Sequence, residues 1–210
     1  MKRSGFQEMS PYRYPFYTIL HPRDGFQEMK FNKKGSMTVM LMILAAWLFV
    51  ELFYRSAMAF DMNPFIYQDV SLLRVAVITI IMYVMVCLSN WCFCTLLDGK
   101  GKLKDICIVA SYSPLPYIIV RFVTVLLSVV MTGEEQMILD YLVILSQVWC
   151  FAMAYTGLQE IHEYSFKKTL MSIVLTLVGV VIMFFISILL IMLLQQLYNF
   201  IVTVTFELRY

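Results

Sequence analysis

The chain has 210 residues, a formal net charge of +2, 61% hydrophobic residues and only 14% charged ones. Soluble domains carry roughly a quarter charged residues, so this chain has too little polar surface to enclose its apolar content in water, and an ordinary soluble fold is excluded. Lipid is part of its solvent, and the length suits one all-α membrane domain with a short polar tail.

Residues 1–36 form that tail. They hold Lys2, Arg3, Arg13, Arg23, Lys30, Lys33 and Lys34 with no apolar stretch between them, which is not the pattern of a secretory signal. Asp24-Gly25-Phe26-Gln27 reads as a helix start, with Asp24 capping the free amides and Gln27 reaching back. Phe26, Met29 and the stems of Lys30, Lys33 and Lys34 would suit a short helix lying at the headgroups. The other reading is a disordered tail that only sets orientation. The pentapeptide GFQEM occurs twice, at 5–9 and 25–29. Two copies make no solenoid, and the sequence offers no function for them.

Residues 37–210 form the membrane domain. A helix needs about 20 mostly apolar residues to cross the hydrocarbon core. Five windows qualify, at 37–54, 72–97, 106–131, 137–158 and 170–194, and the last could run on towards Phe206. Period-2 alternation is absent, so helices that satisfy their own backbone are expected rather than a barrel. Twelve of the sixteen basic residues fall in the tail, in 98–105 with Lys100, Lys102 and Lys104, or in 159–169 with Lys167 and Lys168. Five spans put these segments on one side, which the positive-inside rule makes cytoplasmic. The C-terminus is then expected outside.

Within the third window, Ser111-Tyr112-Ser113-Pro114-Leu115-Pro116 must break the helix. Pro114 and Pro116 free the carbonyls of Ala110 and Tyr112, which Ser111, Ser113, a neighbouring helix or water would have to satisfy. This reads either as a structural kink or as a discontinuous helix lining a polar cavity. Arg121 lies about 22 Å along the third span and Glu51 about 21 Å along the first, at matching depth. A charge there needs a partner. Glu51–Arg121 is the expected pair, with Asp140 as the other candidate if Arg121 snorkels. Asn90 and Gln147 read as interhelical hydrogen-bonding residues.

Catalytic and metal motifs are missing. His162 precedes Glu163, but the second histidine of a zinc protease motif does not follow. Gly99-Lys100-Gly101-Lys102 lacks P-loop spacing and reads as a flexible basic loop. No GxSxG elbow occurs. The five cysteines adjoin apolar runs without a CxxC pair and read as packing residues. No enzyme, cofactor, metal or nucleic-acid partner is expected, since membrane orientation explains the basic residues.

Three motifs carry a family resemblance. His21-Pro22-Arg23-Asp24-Gly25-Phe26, followed by Lys30 and Gly35-Ser36, precedes the first span. The basic glycine loop at 98–104 leads into Ser111–Pro116. His162-Glu163-Tyr164-Ser165-Phe166-Lys167-Lys168 precedes the last span. Their order resembles bacterial members of the Yip1 domain family over roughly residues 20–195. The resemblance implies a five-span bundle with a cytoplasmic N-terminus and a role in protein interaction, in a bacterial plasma membrane. Eukaryotic relatives act in vesicle traffic with small GTPases. The resemblance carries over topology and interaction, without GTPase binding or any catalytic residue. A scaffold or accessory subunit, one version serving an ABC-type importer, is therefore the leading expectation. It would meet a membrane-protein partner or a second copy of itself. A small transporter or channel using the kinked span and Arg121 comes second, although five spans give no clear inverted repeat. Membrane shaping by the tail helix comes third.

Overall fold

The computed structural model of the protein describes residues 10–63, 71–131 and 133–209, and every α-helix and 3₁₀ turn in the account below lies among them. The first GFQEM copy, at 5–9, lies outside the described residues. Eight α-helices follow in chain order: α1 (Tyr14–Leu20), α2 (Pro22–Phe31), α3 (Met37–Ala57), α4 (Leu72–Leu96), α5 (Leu103–Tyr112), α6 (Leu115–Ser128), α7 (Gln136–His162) and α8 (Phe166–Glu207). Short 3₁₀ turns occupy 60–62 and 133–135, and no strand is present among the described residues. Five segments are long and apolar enough to cross a bilayer, namely α3, α4, the α5–α6 pair, α7 and α8. The expected number of spans is therefore met.

Several boundaries differ from the sequence expectation for local reasons. α2 starts at Pro22, not at Asp24, and no side chain caps it. Proline has no amide to satisfy and its φ is already helical, so it suits the first position. Asp24 then sits in the first turn, where its charge faces the helix dipole without capping. α7 runs to His162 and stops where Glu163 adopts φ 56° and ψ 40°. α8 continues past residue 194 for a total of 42 residues. No glycine or proline follows Gly179 to end it, and its length of about 63 Å is twice a hydrocarbon core of about 30 Å.

The third span breaks where proline chemistry requires. α5 ends at Tyr112, Ser113 and Pro114 make the turn, and Pro116 falls in the first turn of α6. The two serines bond different carbonyls from those the prolines release. Ser111 Oγ donates to Ile108 O at 2.9 Å and Ser113 Oγ to Val109 O at 2.7 Å. Each hydroxyl reaches back three or four residues to a carbonyl already on its own helix face.

Small and polar residues bring the spans together, as expected where lipid supplies no hydrophobic drive between helices. α4 and α8 meet through Ser89 Oγ, which donates to Thr176 O at 2.7 Å, and Asn90 Nδ2, which donates to Thr176 Oγ1 at 2.9 Å. Gly179 lets α8 approach Phe93 and Ser89. α3 packs on α6, and α6 on α7. In the most apolar stretch of α8 only 6% of residues are buried, so most of that helix is left for lipid.

The described part of the tail, from residue 10 onward, is folded onto this bundle. α1 and α2 pack as a hairpin, and α2 lies against α7. Phe26 and Met29 are buried in one core cluster with Ile106, Val109, Met153 and Ile161. The apolar face of α2 therefore contacts protein rather than headgroups. A residue that fits lipid fits a helical groove equally well, and Gly157 opens such a groove. An added Cβ there would stand 2.5 Å from Val109 and 3.2 Å from the Phe26 ring.

Candidate functional site

The three motif segments are far apart in sequence and meet at one end of the bundle. α2 supplies Lys30, the 99–102 loop supplies Lys100, and the end of α7 supplies Glu163. One Glu163 oxygen accepts from Lys30 Nζ at 2.7 Å and the other from Lys100 Nζ. These two ammonium groups, Lys100 foremost, hold the Glu163 carboxyl down at about 2, against an ordinary 4.5. Arg23 adds a second link between α2 and α7, its Nε 3.1 Å from Glu160.

Beneath this ion pair lies His162, which is only 1% exposed. Its Nδ1 accepts from the Gly101 amide at 3.3 Å, so the neutral ring carries its proton on Nε2. That Nε2 is buried without a partner among the described residues. The ring stacks on Tyr164 with centroids 5.1 Å apart. Tyr164 Oη donates to Cys94 O at 3.1 Å, and burial pushes this phenol up from its ordinary value.

This packing fixes the glycine loop, which the sequence had suggested to be flexible. A Cβ on Gly99 would stand 2.5 Å from Tyr164 Oη and 2.6 Å from His162 Nδ1. On Gly101 it would stand 2.7 Å from His162 Cε1. Glycine is needed at both positions for close approach to the imidazole, and neither has a positive φ. Asp98 does, at 56°, as α4 ends. The Gly99 amide then reaches back to Cys94 O at 2.7 Å.

The tail motif has a similar division of labour. Gly25 packs on Thr18, which an added Cβ would approach to 2.7 Å, and Tyr14 Oη donates to the Gly25 carbonyl. Phe26 is fully buried. His21 is exposed and stacks on Tyr17 at 4.9 Å. Asp24, Gln27, Lys102 and Lys167 face outward. Lys168 lies over the Tyr164 ring at 4.8 Å. The structure thus brings together His21, Pro22, Asp24, Gly25, Phe26, Lys30, Gly99, Lys100, Gly101, Lys102, His162 and Lys167 at one end. The sequence reading missed Glu160, Glu163, Tyr164 and Cys94 as the residues that join them. For Glu160 and Glu163 the signal was acidic residues beside a basic segment, and Cys94 carried none.

The mid-membrane charges are arranged differently from the expected pair. Glu51 bonds Arg55 on its own helix at 3.1 Å, and Arg121 stacks its guanidinium 3.3 Å above the Tyr54 ring. Arg55 lies one turn from Glu51 on the same face, so that pair forms without help from tertiary structure. Arg121 is weakly hydrated for a cation and gains from aromatic faces, here Tyr54 and, at 5.7 Å, Tyr117. Asp140 is exposed near the other end of the bundle. Beside the break, Glu51, Thr79, Pro114, Tyr117, Gln147 and Cys150 line an open groove of about 450 Å³. Gln147 is exposed on this groove, whereas Asn90 makes the interhelical bond expected of it. Among the described residues, no three of His, Cys, Asp and Glu are grouped to hold a metal ion.

No curated protein and no solved structure matches the chain. The Yip1 domain matches residues 16–189, a span that takes in most of α1, all of α2–α7, the ion-paired end and the first half of α8. On that match, the chain belongs to the Yip1 domain family.

Proposed function

We propose that the protein is a non-enzymatic membrane scaffold or accessory subunit that meets a partner through its basic end. The supporting observation is the convergence of three distant segments on Glu163 and His162. Such a frame holds the exposed groups His21, Asp24, Gln27, Lys102 and Lys167 in a fixed array, and pre-ordering lowers the entropic cost of association. The charge pattern favours a cytoplasmic location for this face and for the N-terminus. The motif pattern favours a bacterial plasma membrane, and an ABC-type importer is one specific partner class. Crosslinking in membranes, mild-detergent purification and mass spectrometry test the proposal. A partner that is retained by the wild type and lost on combined His21→Ala, Asp24→Ala and Lys167→Ala substitution is expected. Recovery of only a homogeneous monomer or homo-oligomer after crosslinking would count against it.

A second reading, a small transporter or channel, is favoured by the groove at the break, because Glu51, Thr79 and Gln147 give it polar walls. It predicts that cysteines placed at Tyr117 and Gln147, both on the groove, react with membrane-impermeant thiol reagents. Inert cysteines there would remove this reading and leave the first intact. The membrane-shaping reading keeps only the basic residues of the tail as support, because Phe26 and Met29 pack against protein.

A further inference from the structure

A second polar cavity, of about 440 Å³, opens at the basic end beside the ion-paired frame. Its walls include Tyr14 from α1, Lys33, Lys34 and Ser36 from the α2–α3 linker, Met37 at the start of α3, and Lys104 at the start of α5. We propose that this cavity binds a phosphate-bearing anion, held by Lys33, Lys34 and Lys104 together with the open amides at the start of α3.

Four observations support the site. First, three lysines from two separate segments line one cavity, and their shared positive charge favours an anion there. Lys34 is 3.4 Å from Glu28, which also accepts from Asn32, so one carboxylate is already shared. Lys33 and Lys104 have no ionic partner among the described residues. Second, α3 is 21 residues long and Ser36 makes no side-chain cap. The first bond of the helix runs from Met40 N to Ser36 O, which leaves the preceding amides directed out of the helix end.

Third, Tyr112 is completely buried behind the cavity wall, and its hydroxyl donates no hydrogen bond among the described residues. It lies near the Ser36 backbone and near Tyr14, both cavity-lining residues. Its contact with Ser36 ties the start of α3 to α5, so that the lysines of both segments keep their places around the cavity. Fourth, the linker is fixed in place. An added Cβ on Gly35 would stand 2.8 Å from Met29 and 3.0 Å from Ile108. Lys33 holds a φ of 51°, a region that a lysine seldom occupies. The same conformation closes α4 at Asp98 and α7 at Glu163, and at Lys33 it ends α2 and sets the course of the linker along the cavity.

The position at the starts of two spans suits an anionic phospholipid headgroup, and free phosphate offers the same chemistry. The full chain in a maltoside detergent, free of phosphate, can be titrated with dioctanoyl phosphatidic acid and, separately, with inorganic phosphate. Saturable binding of at least one probe is expected. Lys33→Gln with Lys104→Gln should weaken it by about thirtyfold. Lys167→Gln with Lys168→Gln removes the same charge at the same end and should leave it unchanged. Binding of the lipid alone assigns the headgroup as ligand, and equal affinity for inorganic phosphate assigns the free anion. The proposal is overturned if neither probe saturates, or if the two double variants lose affinity equally. Partner capture by the basic end does not enter this measurement, so the two proposals fail independently.

Discussion

Gly99→Ala is a sharp test of the frame because two opposing effects predict different signs. Gly99 does not have a positive φ, so alanine is allowed there. By itself the change would stabilise by about 0.4–1 kcal/mol, through a less flexible unfolded chain. The structure puts the new methyl 2.5 Å from Tyr164 Oη, 2.6 Å from His162 Nδ1 and 2.9 Å from the Cys94 carbonyl. The two side chains form a stacked pair, and the carbonyl is backbone, so neither can move aside cheaply. Overpacking of this kind costs about 1–3 kcal/mol, which outweighs the entropic gain. A net loss of about 1–2 kcal/mol would lower the apparent Tm by about 2–8 °C for a chain of this size. Thermal unfolding in detergent, followed by tryptophan fluorescence or a thiol-reactive dye, reads the shift. In a His162→Ala background one of the three contacts is gone and Tyr164 loses the ring it stacks on, so the Gly99→Ala penalty should shrink. An unchanged or raised Tm in the wild-type background would refute the close packing of the loop on His162. So would a penalty that is the same in both backgrounds.

Three further outcomes follow from the same structure. Glu163 has a folded-state pKa held below its ordinary value, so its contribution is fully present above about pH 4.5 and is lost as pH falls towards about 2. The Tm difference between wild type and Glu163→Gln should therefore close across that interval, and a difference independent of pH would contradict the bridge to Lys30 and Lys100. Glu51→Gln and Arg121→Met should give additive losses, whereas Arg121→Met with Tyr54→Leu should be non-additive, as a double-mutant cycle in thermal stability would show. Strong coupling between Glu51 and Arg121 would overturn the stacking of Arg121 on Tyr54. Asn90→Leu and Thr176→Val each remove an interhelical bond worth about 0.6–1.7 kcal/mol. The double variant should lose little more than either single one, and full additivity would mean the two residues do not meet.

The spans were legible because crossing a bilayer needs length and apolarity, and both are written in consecutive residues. The break was legible for a similar reason, since Pro114 and Pro116 act on carbonyls only four residues away. Packing partners were much less legible. On α2, Phe26 and Met29 form an apolar face that suits lipid and protein equally, and nothing in the periodicity favours Gly157 over a headgroup layer. Arg121 illustrates the same limit in three dimensions. Depth along the helix gave Glu51 the correct height, but not the direction in which either side chain points. Arg55, one turn from Glu51, and Tyr54, beneath the guanidinium, decided the arrangement. Gly99 and Gly101 were misread because glycine serves both flexibility and close approach. Only the position of His162, about sixty residues later, distinguishes the two.

The motif residues of the basic end fall into two physical groups, and the division bears on what that end does. Gly25, Phe26, Gly99, Gly101 and His162 face inward, and each makes a contact that a larger or smaller side chain would disturb. His21, Asp24, Lys102 and Lys167 face outward, and the hydrogen bonds and ion pairs of the frame do not depend on their side chains. A purely structural motif would need only the first group. A merely orienting set of charges would need only basic residues near the spans, with no buried histidine under two glycines. The proposed partner binding rests on this combination of a locked interior with exposed groups held in place, since a surface ordered in advance would lose less entropy on association.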